Sequence, residues 1–112
     1  MKKIALILVS MFFITTLMAH APSSIKLSYN KTGGKLNIEV VHKVNNTESH
    51  YIDEITIWVN NTEIETIAPG SQSSKERHIL EYEIGALASG DIVKVMANCN
   101  KMGKKTVQLI IK

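Results

Sequence analysis

The sequence predicts an all-β fold, a single-domain immunoglobulin-like antiparallel β-sandwich of about seven strands. Two observations predict it. Apolar and polar residues alternate with a period of two along several short segments, and turn-forming residues separate these segments at fairly regular intervals. After residue 21, no segment shows a helical period of useful length.

The first half of the chain carries four predicted strands. The segment Ile25 to Tyr29 precedes a Thr-Gly-Gly turn, and Leu36 to His42 then alternates apolar with polar residues, so its final histidine shares the parity of the apolar face. Tyr51 to Val59 is rich in β-branched and aromatic residues, which favour strands. The pair Asn60-Asn61 indicates a tight hairpin, from which Thr62 to Ile67 returns.

The second half of the chain carries three more predicted strands. A polar loop opens at Pro69-Gly70, and His78 to Ile84 then alternates again. The turn Ser89-Gly90-Asp91 leads into Val93 to Cys99, whose cysteine has the parity of the apolar residues. Thr106 to Ile111 closes the predicted domain.

The first 21 residues have the pattern of an export signal. Lys2-Lys3 forms a basic head, Ile4 to Leu17 is an apolar run, and Ala19-His20-Ala21 supplies small residues for cleavage. The fourteen residues of that run are fewer than the roughly 20 needed to span a bilayer, which disfavours a membrane anchor. We therefore predict a signal peptide over residues 1–21, cleaved after Ala19 or Ala21.

The mature chain, residues 22–112, is long enough for one domain with a modest core. We expect it to be periplasmic or extracellular, with no membrane association after cleavage. Without the two signal lysines, the 13 basic residues fall to 11 against 10 acidic ones, so no nucleic-acid partner is indicated. A single cysteine cannot form an internal disulfide, so Cys99 is a metal ligand, an intermolecular bridge or a buried thiol.

Three residues are candidate metal ligands. His42 and Cys99 each end an alternating strand on its inward parity, and His50 closes the polar loop that follows His42. Imidazole and thiolate suit zinc, copper or iron, whereas a hard cation needs a carboxylate cluster. Taken singly, each residue also fits a structural role, as a hydrogen-bonded histidine or a small buried thiol. We expect His78, beside a polar loop, to be solvated or structural.

A resemblance to a known family joins these residues. The string from His42 to His50-Tyr51-Ile52-Asp53-Glu54, with the later Ala97-Asn98-Cys99-Asn100-Lys101-Met102-Gly103, resembles the iron-binding domain of desulfoferrodoxins and superoxide reductases. In that family a His, a polar loop, a His-Tyr-Ile strand, a hairpin and a late Cys-Asn-x-His-Gly segment recur in this order. The resemblance covers about Ile25 to Ile111 and also implies an immunoglobulin-like sandwich.

The resemblance implies a mononuclear iron centre that reduces superoxide to hydrogen peroxide by one electron. In the family, four histidines lie in a plane around the iron, one cysteine thiolate lies on the axis, and a sixth position is open. His42 and His50 match two of the histidines, and Cys99 matches the axial cysteine.

Two positions depart from the family pattern. Met102 stands where the family has its fourth equatorial histidine, and a thioether suits copper better than ferrous iron. The remaining ligand comes from an N-terminal loop beside a Glu-Lys pair in the family, for which this chain has no clean match. His20 is the only histidine upstream of His42, and it belongs to the mature protein only if cleavage follows Ala19. We keep His20 as a fourth candidate ligand.

Three functions remain open from the sequence. The first is a superoxide-reductase-like oxidoreductase that holds iron (Fe2+/Fe3+) and receives electrons from a separate donor, such as a rubredoxin-like protein, because the chain has no Cys-x-x-Cys pair. The second is an exported module that binds copper or another metal for storage, delivery or electron transfer. The third is a structural immunoglobulin-like module whose metal site has decayed.

Overall fold

The computed structural model describes residues 21–112 of the chain. Over these residues it contains no helix, and hence none long and apolar enough to cross a membrane. Apart from Ala21, the predicted signal peptide lies outside the described residues, and so does His20. The seven strands are β1 (Ser24–Asn30), β2 (Lys35–Val41), β3 (Ile52–Val59), β4 (Thr62–Ile67), β5 (Arg77–Glu83), β6 (Ile92–Cys99) and β7 (Lys104–Ile110).

The seven strands form two antiparallel sheets, which confirms the predicted all-β sandwich. One sheet has the order β1-β2-β5 and the other the order β4-β3-β6-β7. This is an immunoglobulin-like arrangement in which the fourth strand joins the larger sheet. Asn60 and Asn61 both have positive φ, at 50° and 71°, as the tight hairpin between β3 and β4 requires.

The core lies between the two sheets and follows the predicted alternation. Each sheet faces the other with apolar side chains and faces solvent with polar ones, which is the pattern of an antiparallel sandwich. The buried side chains are mainly β-branched or aliphatic: Ile25, Leu36, Ile38 and Val40 in the smaller sheet, and Ile52, Ile55, Ile57, Val93, Val95 and Ala97 in the larger one.

One end of the sandwich carries an irregularity beside Cys99. Ile52 pairs with Cys99, but the next pair along the ladder joins Glu54 to Asn98, so Asp53 is an extra residue on β3. An extra residue of this kind forms a β-bulge, which bends the strand and changes the direction of nearby side chains. The Asn98 side-chain amide donates a hydrogen bond to the Asp53 carboxylate at 2.9 Å and holds the bulge.

Candidate metal centre

His42 lies directly after β2 and keeps the inward parity of that strand. Its side chain is only 1% exposed, as the sequence predicted. The backbone N–H donates to the carbonyl of Glu76 at 2.9 Å, which extends the contact between β2 and the segment before β5. Its ring Nδ1 lies 2.8 Å from the side-chain oxygen of Gln72. His42 is therefore held in place through both its backbone and its imidazole ring.

His50 reaches the same place through a loop rather than a strand. Its N–H donates to the carbonyl of Asn46 at 3.0 Å, and the Asn46 side chain accepts the N–H of Glu48 at 2.8 Å. These bonds close a turn of the kind that asparagine favours. The turn brings the half-buried His50 ring against His42, with centroids 5.0 Å apart and planes at 84°.

Cys99 ends β6 and points inward, 2% exposed. Its N–H donates to the carbonyl of Gly103 at 2.9 Å, so residues 99–103 form a closed turn. The N–H of Lys101 donates to Sγ at 3.4 Å, a bond that a negatively charged thiolate accepts more strongly than a neutral thiol does. Gly103 has a φ of 97°, and a Cβ there would lie 2.7 Å from the backbone nitrogen of Ala21. The chain at Ala21 therefore packs directly on the Cys99 turn.

The three side chains form one group. One ligand atom from each of His42, His50 and Cys99 lies within 4.8 Å of the other two. Two donors on the same metal are at most about 4.4 Å apart, with metal–nitrogen and metal–sulfur bonds of about 2.1 and 2.3 Å. Only donors on opposite sides of a metal reach that limit, and donors at tetrahedral or right angles are about 3–3.6 Å apart, so binding draws the three side chains closer together. The residues present fit a transition-metal ion, because they offer two imidazole nitrogens and one sulfur at a buried site.

Comparisons with known proteins do not extend the resemblance noted above. Neither a protein-family model nor a curated protein matches the chain. The structure brings together three of the four predicted ligands, and the fourth, His20, lies outside the described residues. Met102, which the resemblance aligns with a histidine, is 59% exposed, in contrast to the buried His42 and Cys99.

Asn100 joins the loop that carries His50 to the turn that carries Cys99. Its side-chain oxygen accepts the N–H of Tyr51 at 2.9 Å, and its side-chain amide donates to the carbonyl of Ser49 at 3.0 Å. Its own N–H donates to the carbonyl of Tyr51 at 3.0 Å. These three bonds hold the backbone in place on both sides of His50. Asn100 therefore sets the distance between the His50 imidazole and the Cys99 sulfur.

We expect Asn100→Ala to weaken metal binding about 10-fold and to lower the free energy of unfolding by about 1–3 kcal/mol. The reason is that both side-chain bonds to the His50 segment are lost while all three ligands remain. Metal titration and urea unfolding measure the two effects. Asn37→Ala, an exposed position in the middle of β2, is the matched control. Equal metal affinities for the two variants would contradict the positioning role.

Sequence reasoning missed the residues that hold the ligands in place. Asn100 stood inside the motif that carried the family resemblance, but nothing in its spacing gave it a structural role. Gln72 lay in a loop of serines and polar residues that predicts exposure, whereas its side chain is buried. A buried amide inside a polar loop becomes visible only when the fold places that loop beside His42.

His78 has the structural role that the sequence favoured. It is a buried residue of β5 and does not belong to the His42, His50 and Cys99 group. Its Nδ1 accepts the N–H of Ser73 at 3.1 Å and lies 3.2 Å from the hydroxyl of the same serine. Burial lowers the pKa of His78 below its usual value, because the charged ring loses its hydration.

This lowered pKa makes the metal-free protein less stable in mild acid. The unfolded chain takes up the proton on His78 more readily than the folded chain, so the free energy of unfolding falls as the pH drops through and below about 6.5. We expect His78→Gln to reduce this slope. Urea unfolding of both proteins above and below this pH measures it, and the difference between the slopes isolates His78 from the other histidines. Identical slopes would contradict the prediction.

Proposed function

We propose that this chain binds one transition-metal ion through His42, His50 and Cys99. The observation that supports it is the convergence of two imidazoles and one thiol from three separate segments within 4.8 Å. Nitrogen and sulfur donors suit iron, copper and zinc. Calcium and magnesium prefer oxygen donors, which this group does not offer.

We further propose iron as the metal and superoxide reduction as the activity. The support is the order of the His42, His50 and Cys99 segments, which resembles that of superoxide reductases, on a sandwich of the implied type. When bound, iron would supply the single electron that, together with two protons from water, converts superoxide to hydrogen peroxide. The two imidazoles would hold the ion, and the thiolate would add negative charge beside it. The electron comes from a separate partner such as a rubredoxin-like protein, and the protein works after export, outside the cytoplasm.

His20 is proposed as a further ligand. Ala21, the residue that follows it, packs on the turn after Cys99, where a Cβ at Gly103 would lie 2.7 Å from the Ala21 nitrogen. The first described residue therefore lies beside the turn that begins at Cys99. This proposal requires cleavage after Ala19, so the N-terminal residue of the exported protein decides it.

The structure gives no support to copper binding through Met102. Its side chain is 59% exposed, and a ligand that completes a buried centre has to turn inward. Copper held by the same two histidines and Cys99 remains an outcome of the metal analysis below, as does a module that binds no metal.

The test is to titrate the metal-free protein with ferrous iron under anaerobic conditions and then to follow superoxide loss and peroxide formation. We expect one iron per chain in the wild type and in His78→Gln, a histidine variant outside the group. The double variant His42→Ala/His50→Ala should bind none. Retained binding in the double variant, or no binding in the wild type, overturns the metal proposal. Iron binding without superoxide reduction rejects the activity alone. Copper without iron in protein purified from its native exported compartment rejects iron, whereas competition in vitro does not, because copper binds most nitrogen and sulfur sites more tightly than ferrous iron.

A further inference from the structure

Gln72 makes hydrogen bonds to three groups from a buried position. Its side chain is 5% exposed. The side-chain nitrogen donates to the carbonyl of His42 at 2.7 Å and to the carbonyl of Ser74 at 2.8 Å. The side-chain oxygen lies 2.8 Å from Nδ1 of His42. The backbone N–H also donates to the carbonyl of Thr47, at 3.2 Å, so the residue connects three stretches of chain.

The two carbonyl contacts fix which end of the amide faces the imidazole. A carbonyl oxygen can only accept a hydrogen bond, so the group between the carbonyls of His42 and Ser74 must be the NH2 of Gln72. A flipped amide would place its oxygen against two other oxygens at 2.7 and 2.8 Å. The Gln72 oxygen therefore faces the ring of His42.

The direction of this contact fixes the proton on the ring. An amide oxygen cannot donate, so Nδ1 of His42 must carry the hydrogen that joins the two atoms at 2.8 Å. The opposite proton position would set two lone pairs against each other in a buried site. In the neutral imidazole the lone pair is then on Nε2, at the other side of the ring.

We infer that Gln72 is a positioning residue that holds His42 in its Nδ1–H form and so presents Nε2 as the metal-binding nitrogen. The inference rests on the proposed metal site. Partners of this kind set the orientation of a ligating histidine and increase its basicity. Because the ring and its proton are fixed before metal arrives, binding does not have to select one form from a mixture.

Two variants separate the contact with Nδ1 from the contacts with the backbone. Gln72→Met and Gln72→Glu both lose the hydrogen bonds donated to the carbonyls of His42 and Ser74. Glutamate retains an oxygen that can accept from Nδ1–H, although its second oxygen faces the two carbonyl oxygens and costs stability, and methionine retains no such acceptor. Gln108→Met, on the exposed face of β7, is the matched control for the change of side chain.

The first measurement is the tautomer of His42 in metal-free protein in alkaline buffer, by long-range proton–nitrogen correlation NMR. We expect the Nδ1–H form in the wild type, Gln72→Glu and Gln108→Met, and a substantial Nε2–H population in Gln72→Met. The wild-type spectrum is decisive even where a variant fails to fold. A wild-type His42 in the Nε2–H form, or a Gln72→Met spectrum like that of wild type, overturns the inference.

The second measurement is the affinity for zinc, used as a probe ion that takes imidazole and thiolate ligands. We expect Gln72→Met to lose about 10–100-fold in affinity and Gln72→Glu to lose clearly less. Equal losses in the two variants would overturn the role assigned to the Nδ1 contact. A wild type that binds no zinc or iron would reject the proposed metal site, and the tautomer measurement on metal-free protein would still test the effect of Gln72 on His42.

Discussion

Replacing Cys99 with serine is expected to lower the affinity for cobalt more than about 100-fold, because loss of a ligand should exceed the 10–100-fold loss typical of its supporting partners. It should also abolish the sulfur-to-metal charge-transfer absorption of the cobalt-loaded protein. A hydroxyl at this site is a much weaker ligand than a thiolate for such a metal. Cobalt is a useful probe because its spectrum reports the sulfur directly.

The matched control for this change is Ala97→Ser. Ala97 lies two residues before Cys99 on the same face of β6 and is fully buried, so the variant places a hydroxyl in the same strand and leaves the thiol. We expect it to lose stability and to keep the charge-transfer band. A band of equal strength in Cys99→Ser and wild type would mean that the sulfur does not bind the metal.

Replacing Ile57 with alanine is expected to lower the free energy of unfolding by about 2–5 kcal/mol. Ile57 is fully buried in the middle of β3, where it pairs with Val95 on one side and Glu65 on the other. Its removal leaves a cavity that the two sheets can fill only in part. Since small domains are stable by about 5–15 kcal/mol in total, a loss of this size is a large share of the whole.

Urea unfolding measures this loss against Ile79→Ala. Ile79 is on β5 and is 59% exposed, so the same change of side chain should cost less than about 1 kcal/mol there. Equal losses at the two positions would contradict the assignment of the core to the space between the sheets.

The strands could be predicted from sequence because each sheet has one face toward the core and one toward solvent. In that arrangement the alternation of apolar and polar residues identifies a strand and the face that it buries. The same parity predicted that His42 and Cys99 point inward, and both are buried. The boundaries of the strands lie within two residues of the predicted ones, and the hairpin at Asn60-Asn61 has the expected backbone.

The details of the site could not be predicted because they depend on contacts between distant segments. His50 is on a loop, where strand alternation does not predict which way a side chain points. Its position depends on Asn100, which lies 50 residues further along the chain. The Asp53 bulge depends on how β3 pairs with β6. The bonds of Gln72 to His42 depend on the loop before β5 folding over the end of β2. None of these pairings leaves a local pattern in the sequence.

The most direct test of the proposed metal site is X-ray absorption spectroscopy of the zinc-loaded protein. A centre built from His42, His50 and Cys99 should give one sulfur at about 2.3 Å from the metal and imidazole nitrogens at about 2.0–2.1 Å. The sulfur contribution should disappear in Cys99→Ser, and the imidazole contribution should fall in His42→Ala. A wild-type shell of oxygen alone, with no sulfur, would contradict the proposal that these three residues form a metal site.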